Sequence, residues 1–210
     1  MFVSHKYKLI YYEVPRTGSH SITRALTELD PESPTVAERK LNGSGAGYHH
    51  ITDQQLLANP EYCFIAAHRN PFDRLWSIWK HRKRGGNPEI FKTTSWARYT
   101  EWACDPSVAT EFAGAWVDAP ILEFVDKGRV DYWLDFHRLE SSWARLSEKI
   151  AIPLIPLKSL NASPDHGSMQ NAYSDSVGER VAQRFAKDFD YFGYNPRSWQ
   201  PGAPIESPER

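Results

Sequence analysis

The stretch over residues 8–29, KLIYYEVPRTGSHSITRALTEL, constrains the fold most, because it places an apolar run, a short turn and an amphipathic segment in direct succession. The run from Leu9 to Val14 is nearly continuous, which is typical of a strand buried on both faces of a parallel sheet. Pro15 ends that strand. Ile22 and Leu26 then recur at helical spacing. A strand that leads at once into a helix predicts an α/β fold.

The turn between this strand and helix has the composition of an anion-binding loop. Gly18 lets the backbone approach a ligand closely, and the N–H groups at a helix N-terminus present positive potential to an anion. Arg16 adds a fixed charge on a planar guanidinium group. The residues predicted to form this loop are Arg16, Thr17, Gly18, Ser19, His20 and Ser21.

A second strand and helix follow further along the chain. The run YCFIAAH, residues 62–68, predicts another buried parallel strand, and RNPFDRLWS continues directly from it. Asn70 is the predicted N-cap and Pro71 the first helical residue. Because Arg69 and Ser77 are spaced to lie toward one face, they would bring a cation and a hydroxyl group together.

Both segments resemble motifs of the sulfotransferase family. PRTGSHS resembles the 5'-phosphosulfate-binding loop, typically Pro-Lys-Thr-Gly-(Gly/Ser)-Thr-Ser in the carbohydrate branch that includes Golgi-type and bacterial enzymes. The chain departs from that pattern at Arg16, where lysine is usual, and at His20, where threonine is usual. Because arginine does not readily release a proton, Arg16 would stabilise charge and would not act as an acid.

RNPFDRLWS is similar to the family's 3'-phosphate motif, Arg-(Asp/Asn)-Pro-x-(Asp/Glu)-Arg-x-x-Ser, at every defining position. The resemblance implies that Arg69 and Ser77 contact the 3'-phosphate, while Asp73 and Arg74 are mainly structural. It also implies that Asn161 lies in a loop that covers the donor.

The resemblance implies a P-loop-like three-layer sandwich, with a central, mainly parallel sheet flanked by helices. The implied donor is 3'-phosphoadenosine 5'-phosphosulfate, and the implied partner is a hydroxylated acceptor such as a sugar or glycan. Sulfuryl transfer needs no metal, and no metal site is expected. Charge that grows on the departing phosphate would be stabilised by Arg16 and the loop N–H groups.

The acceptor hydroxyl group needs a general base, for which histidine has a suitable pKa. His50 is the first candidate and His49 the second, because glycan-acting relatives often carry a catalytic histidine in the segment before the 3'-phosphate strand. His20 in the loop is a third candidate, and Glu13 is the carboxylate alternative.

Length and composition favour one domain. The chain has 210 residues, 40% of them hydrophobic, enough for one substantial core. We predict a single domain over residues 1–195 and a loosely ordered tail over residues 196–210. Within the domain, residues 130–137 predict a third strand, and the apolar stripe over residues 177–189 predicts one last helix.

Charge and cysteine content limit the alternatives. The formal net charge of -1 argues against a generally basic nucleic-acid binder. Two isolated cysteines, Cys63 and Cys104, and no segment long enough to span a membrane favour a cytoplasmic protein. The alternatives are a kinase-like nucleotide phosphotransferase and a non-enzymatic polyanion- or RNA-binding module that uses the basic run at residues 80–86.

Overall fold

A computed structural model describes residues 1–33, 59–83, 89–105, 119–125, 129–158 and 169–208. The chain divides into two compact units. The first, here called the sheet unit, comprises Met1–His68 and Lys127–Ala162, and the second, here called the helical unit, comprises Arg69–Asp126 and Ser163–Arg210. A single domain over residues 1–195 stays a prediction.

The sheet unit is built on a four-stranded sheet in the order β1-β2-β3-β4. β1 pairs with β2 in antiparallel orientation, whereas β2, β3 and β4 run parallel to one another. The strands are β1 (Phe2–Ser4), β2 (Leu9–Tyr12), β3 (Cys63–His68) and β4 (Tyr132–Asp135). The three parallel strands therefore end at one edge of the sheet, which is where open α/β sheets bind their ligands.

The helices follow the strands along the chain. In chain order they are α1 (Ser19–Leu29), α2 (Pro71–Arg82), α3 (Glu89–Thr93), α4 (Trp96–Cys104), α5 (Ile121–Phe124), α6 (Leu139–Lys149), α7 (Met169–Ala172), α8 (Asp175–Arg184) and α9 (Ala186–Phe192). Within the described part of the chain, none of them is both long and apolar enough to cross a lipid bilayer.

One face of the sheet carries the core of the sheet unit. Tyr11 and Ile65 from neighbouring strands belong to the same buried cluster as Leu26 of α1 and Trp143 of α6. Side chains alternate between faces along a strand, so the residues between these positions point the other way. Phe64 and Ala66 on that second face are also fully buried. The near-continuous apolar runs predicted from the sequence reflect this burial on both faces.

The helical unit is centred on α2. Phe72 packs edge-on against Tyr173, with 5.1 Å between ring centroids, and lies 5.0 Å from the ring of Phe189. The Tyr173 hydroxyl donates to the Phe72 carbonyl at 2.9 Å, and burial raises its pKa well above the usual value. At the start of α5, the Asp188 carboxylate accepts the N–H of Ile121 at 2.6 Å. This bond replaces a missing side-chain cap at that helix start.

The last predicted helix is two helices in the structure. Phe185 leaves the helical conformation and separates α8 from α9, although the apolar stripe of Val177, Val181, Phe185 and Phe189 is buried throughout. The stripe indicates burial on one side and carries no information about a one-residue break. Across this region the Glu123 carboxylate pairs with Arg184 at 2.6 Å, and that hydrogen bond lowers the pKa of Glu123.

Much of the segment after residue 195 is packed, contrary to the expectation of a loosely ordered tail. Trp199 is only 5% exposed. A Cβ atom on Gly178 would lie 2.3 Å from the Trp199 ring, so the indole packs directly on this glycine. The Asn70 side-chain amide donates to Ser198 Oγ at 2.8 Å and to the Ile205 carbonyl at 2.9 Å. No local pattern indicates this packing in the sequence, because the partners lie far away in the chain.

Candidate active site

The turn between β2 and α1 has an unusual backbone. Arg16 has a φ of 65°, in the left-handed region, and Gly18 follows with a φ of 81°. A non-glycine residue in this region costs on the order of 1–2 kcal/mol, and such strain clusters at functional sites. Thr17, between them, is fully buried and donates its hydroxyl proton to the Val14 carbonyl at 2.9 Å. Thr17 therefore shapes the loop with its side chain and leaves only its N–H for a ligand.

The N-terminus of α1 is suited to an anion. Gly18 is its N-cap residue and supplies no side-chain hydrogen bond, and the first turn carries no acidic residue. The orphan N–H groups of a first turn are usually satisfied by a capping side chain or by a ligand. Ser19 is half-buried and Ser21 is 8% exposed in this turn. Arg16, Gly18, Ser19 and Ser21 thus lie together at one helix start, and their role as a binding site stays a prediction.

Gly18 is required by packing as well as by its backbone angle. A Cβ atom at this position would lie 2.7 Å from Leu139 Cδ2 and 3.5 Å from the Phe136 ring. Phe136 lies in the connection from β4 to α6, and Leu139 is the first residue of α6. The loop after β2 and the connection after β4 therefore meet above the carboxyl end of the intervening strand β3.

Asp135 fixes the shape of that connection. Its Oδ1 accepts the His137 N–H at 2.9 Å, and its Oδ2 pairs with Arg138 Nη2 at 2.6 Å. The Ser142 hydroxyl accepts the N–H of Asp135 at 3.3 Å. These bonds hold the turn that supports Gly18.

His68 and Asp135, which end β3 and β4, are polar residues at the sheet edge that were not predicted from the sequence. The two residues are register partners, and His68 is 7% and Asp135 5% exposed. The His68 ring lies 6.3 Å from the Trp133 ring in an edge-on arrangement. The sequence offered one signal for these two residues: each is a polar residue at the end of a predicted strand.

In the helical unit, Arg69 is held by Asp73. Arg69 Nε donates to Asp73 Oδ2 at 2.7 Å, and Nη2 donates to Oδ1 at 2.9 Å. Both side chains are largely buried, with 7% and 12% exposed. A guanidinium group has five N–H donors in a fixed fork, so this two-point contact sets its orientation. Asp73 is therefore structural in its contacts, as the resemblance implied.

The helix start that follows Arg69 has the predicted caps. Asn70 Oδ1 accepts the Phe72 N–H at 3.0 Å, and Pro71 opens the helix. Arg74 is 1% exposed and donates to the Ala119 carbonyl at 2.8 Å, which is a structural contact. Ser77 lies two turns into α2 and is 6% exposed. In contrast to α1, the first turn of α2 already has a side-chain cap. The group there that could bind an anion is therefore the Arg69 guanidinium group.

The candidate bases differ in their surroundings. His20 is exposed on α1. The Glu13 carboxylate accepts a hydrogen bond from Thr23 Oγ1 at 2.5 Å and pairs with the N-terminal amine at 2.7 Å. The Thr23 contact ties Glu13 to α1, and its role as the carboxylate alternative stays a prediction. His49, His50 and Asn161 lie outside the described residues.

The donor set at both motifs is made of N–H, hydroxyl and guanidinium groups, which suit phosphate oxygens. No group of three or more histidine, cysteine or acidic side chains that would bind a metal ion occurs in the part of the chain that the structure describes.

Comparison with known proteins identifies the class to which this fold and these motifs belong. The sequence model described as the Sulfotransferase family matches residues 1–195. The chain therefore belongs to the sulfotransferase family, and its mainly parallel α/β sheet with flanking helices is consistent with the P-loop-like fold predicted from the sequence. No curated protein and no solved structure matches the chain.

Proposed function

We propose that the protein transfers a sulfuryl group from 3'-phosphoadenosine 5'-phosphosulfate to a hydroxyl group of a carbohydrate or glycan-like acceptor. Membership of the sulfotransferase family supports sulfuryl transfer in general. The observation that carries the choice of donor is the start of α1, where a strained arginine and a left-handed glycine precede a helix without side-chain cap or first-turn acid.

The loop after β2 binds the 5'-phosphate in this proposal. Its N–H groups and the positive end of the α1 dipole face the phosphate oxygens, while Arg16 supplies the full positive charge. Ser19 and Ser21 add hydroxyl donors from the first turn. Because Arg16 stays protonated, its contribution is electrostatic stabilisation of the oxygen that leaves with the bridging electron pair.

The motif at the start of α2 binds the 3'-phosphate. The contact with Asp73 fixes the plane of the Arg69 guanidinium group, and Ser77 supplies a hydroxyl group from the second turn. A fixed guanidinium group suits a phosphate better than a mobile one, because less side-chain entropy is lost on binding.

The transfer itself balances without a metal ion. The acceptor oxygen forms a bond to sulfur as the bond between sulfur and the 5'-phosphate oxygen breaks, and the electron pair of that bond stays on the phosphate. The acceptor hydroxyl proton moves to a general base, for which His50 remains the first proposal and His49, His20 and Glu13 are the alternatives. The products are a sulfate ester, adenosine 3',5'-bisphosphate and a proton.

The test separates the two ends of the nucleotide. Affinities for adenosine 3',5'-bisphosphate and for 5'-AMP are measured by calorimetry on the wild-type protein and on two variants. Ser77→Ala removes a hydrogen bond to a charged phosphate and is expected to weaken bisphosphate binding about tenfold, with 5'-AMP unchanged. Arg16→Met is expected to weaken both ligands and to leave their ratio unchanged.

Ser176→Ala serves as the matched control, because Ser176 is an exposed helical serine in α8. The proposal fails if the wild-type protein binds ATP with Mg²⁺ or an oligonucleotide more tightly than the bisphosphate. The assignment of Ser77 fails if its variant weakens both nucleotides equally. Transfer of labelled sulfate to a panel of sugars then tests the acceptor class.

A further inference from the structure

Arg138 is a half-buried arginine at the start of α6, and neither family motif includes it. Its side chain is 21% exposed. Arg138 is the N-cap residue of α6, and no side-chain hydrogen bond caps that helix. The dipole makes this end of a helix positive, so a cation is unfavourable here unless an anion lies beside it. The position of Arg138 therefore needs a physical reason.

Asp135 supplies one such anion and sets the direction of the guanidinium group. Asp135 Oδ2 lies 2.6 Å from Arg138 Nη2, and the carboxylate side chain is 8% exposed. In the helical unit, Asp73 holds Arg69 by the same kind of contact. A guanidinium group whose direction is fixed loses less side-chain entropy when it binds an anion. Arg138 is thus held in the same way as the arginine that is proposed to bind the 3'-phosphate.

The stability of the turn explains this ion pair poorly. The backbone of the turn has two other contacts, since the Asp135 carboxylate accepts the His137 N–H at 2.9 Å and the Ser142 hydroxyl accepts the Asp135 N–H at 3.3 Å. Replacing a buried ion pair by apolar side chains of similar size is often neutral or stabilising. An arginine that only held the turn would therefore give little advantage over an apolar residue.

Arg138 lies next to residues that contact the loop after β2. A Cβ atom on Gly18 would lie 2.7 Å from Leu139 Cδ2 and 3.5 Å from the Phe136 ring. Arg138 directly precedes Leu139, so their Cα atoms are about 3.8 Å apart. All of these residues belong to the sheet unit. Arg138 is therefore a near neighbour of the loop that is proposed to bind the 5'-phosphate.

The helices α1 and α6 start at the same edge of the sheet. Each follows the carboxyl end of a parallel strand. Leu26 of α1 and Trp143 of α6 belong to one buried cluster, so both helices pack on the same face of the sheet. Glu140, the acidic residue in the first turn of α6, is exposed to solvent, which screens its charge. Two helix dipoles and the charge of Arg138 therefore make this part of the edge suited to a ligand with more than one negative group.

We infer that Arg138 binds the sulfuryl group of the donor, while the loop after β2 binds the 5'-phosphate that carries this group. The inference rests on the proposed function. The sulfuryl oxygens carry negative charge, and a planar guanidinium group can donate to two of them at once. In this position Arg138 reduces the repulsion between those oxygens and the approaching acceptor oxygen, so it favours formation of the new bond to sulfur.

The first experiment compares two nucleotides that differ in the sulfuryl group. Adenosine 5'-phosphosulfate carries it and 5'-AMP lacks it, and neither has a 3'-phosphate. Their affinities are measured by calorimetry on the full chain, and the ratio of the two affinities is the readout. Arg138→Gln is expected to lower the preference for adenosine 5'-phosphosulfate about tenfold, because a hydrogen bond to a charged group is lost. An unchanged ratio, including an equal loss for both nucleotides, overturns the inference.

Arg138→Lys allows the same measurement if loss of the ion pair unfolds the protein. Lysine retains a cation beside Asp135 but cannot donate from a planar fork. We expect this variant to melt near the wild-type protein and to lower the same ratio about threefold. A ratio equal to that of the wild-type protein contradicts the contact with the sulfuryl oxygens.

Arg184→Gln is the matched control. Arg184 Nη1 pairs with Glu123 Oε1 at 2.6 Å, and its side chain is 17% exposed, so its pairing and burial resemble those of Arg138. Arg184 lies in the helical unit, outside both family motifs. This variant is expected to leave the ratio unchanged. An equal fall in the ratio overturns the assignment to Arg138.

Adenosine 3',5'-bisphosphate binding is measured on every protein to test the proposed function separately. This nucleotide has no sulfuryl group, so Arg138→Gln is expected to bind it as tightly as the wild-type protein does. A wild-type protein without preference for the bisphosphate over 5'-AMP contradicts the proposed donor. If that preference is present and Arg138→Gln leaves the sulfuryl ratio unchanged, the inference alone fails.

Discussion

The contact between Arg69 and Asp73 makes the most informative substitution also the most disruptive one. Arg69→Ala would remove the proposed 3'-phosphate ligand, but it would also leave the Asp73 carboxylate without its two-point partner. Both side chains are largely buried, with 7% and 12% exposed. Removing one partner of a buried ion pair costs about 3–5 kcal/mol, because the remaining charge stays desolvated.

The expected loss can be converted to a melting temperature. For a chain of this size, 1 kcal/mol corresponds to about 2–4 °C, so Arg69→Ala is expected to melt about 6–20 °C below the wild-type protein. Asp73→Leu is expected to lose a similar amount, since it removes the carboxylate that Arg69 contacts at two points. The double variant Arg69→Met/Asp73→Leu replaces both charges by apolar groups of similar size and is expected to melt near the wild type.

Calorimetric melting of the wild-type protein, Arg69→Met, Asp73→Leu and the double variant forms a double-mutant cycle, for which we expect a coupling energy of several kcal/mol. Bisphosphate binding is then measured on the double variant, which separates folding from ligand recognition. We expect a folded protein that has lost its preference for the bisphosphate over 5'-AMP. Additive losses in the cycle, or an unchanged preference in the double variant, would refute the two roles assigned to Arg69.

Three further predictions follow from contacts elsewhere in the chain. Gly18→Ala is expected to destabilise the protein by at least about 1–2 kcal/mol in a thermal melt, because alanine is strained at the positive φ of this position. We also expect it to weaken bisphosphate binding. Normal stability and affinity would contradict the loop geometry. Glu123→Gln removes the partner of Arg184. Because the Glu123 carboxylate is 47% exposed and solvent screens such a charge, we expect a loss of about 0.2–1 kcal/mol at pH 7. Because pairing lowers the folded-state pKa of Glu123, that difference should shrink as the pH falls below about 4; a difference that persists in acid would exclude the ion pair as its cause. Gly178→Ala should displace the indole of Trp199 and expose the C-terminal segment to limited proteolysis, whereas an unchanged digestion pattern would argue against this packing.

The sequence predicted the elements whose signals are local. The cap at Asn70, the first helical residue Pro71 and the strands β2 and β3 are each marked by a few adjacent residues, and the structure confirms them. The residues of the β2–α1 loop were predicted from the same kind of local signal, and their binding role stays a prediction. The family match over residues 1–195 confirms the sulfotransferase assignment that these motifs indicated.

Features set by distant contacts were not predicted. β1 has only three residues and depends on pairing with β2, so no periodicity marks it. Trp76 and Trp79 of α2 pack against Trp96 of α4, and this contact was missed because the spacing of the three tryptophans resembles that of ordinary core residues. The places of His68 and Asp135 at one sheet edge follow from strand register, which a single sequence does not specify.

The side chain of Asn70 makes two kinds of contact, which connect the start of the helical unit to its last residues. One side-chain oxygen closes the first turn of α2, while the amide nitrogen holds residues that lie 128 and 135 positions further on. A truncation or a fusion partner near residue 200 would remove or strain these two hydrogen bonds. The side chain of Asn70 would then be less firmly held, and so would the neighbouring Arg69. An expression design that removes this stretch would therefore disturb the start of α2 without changing a residue of either family motif.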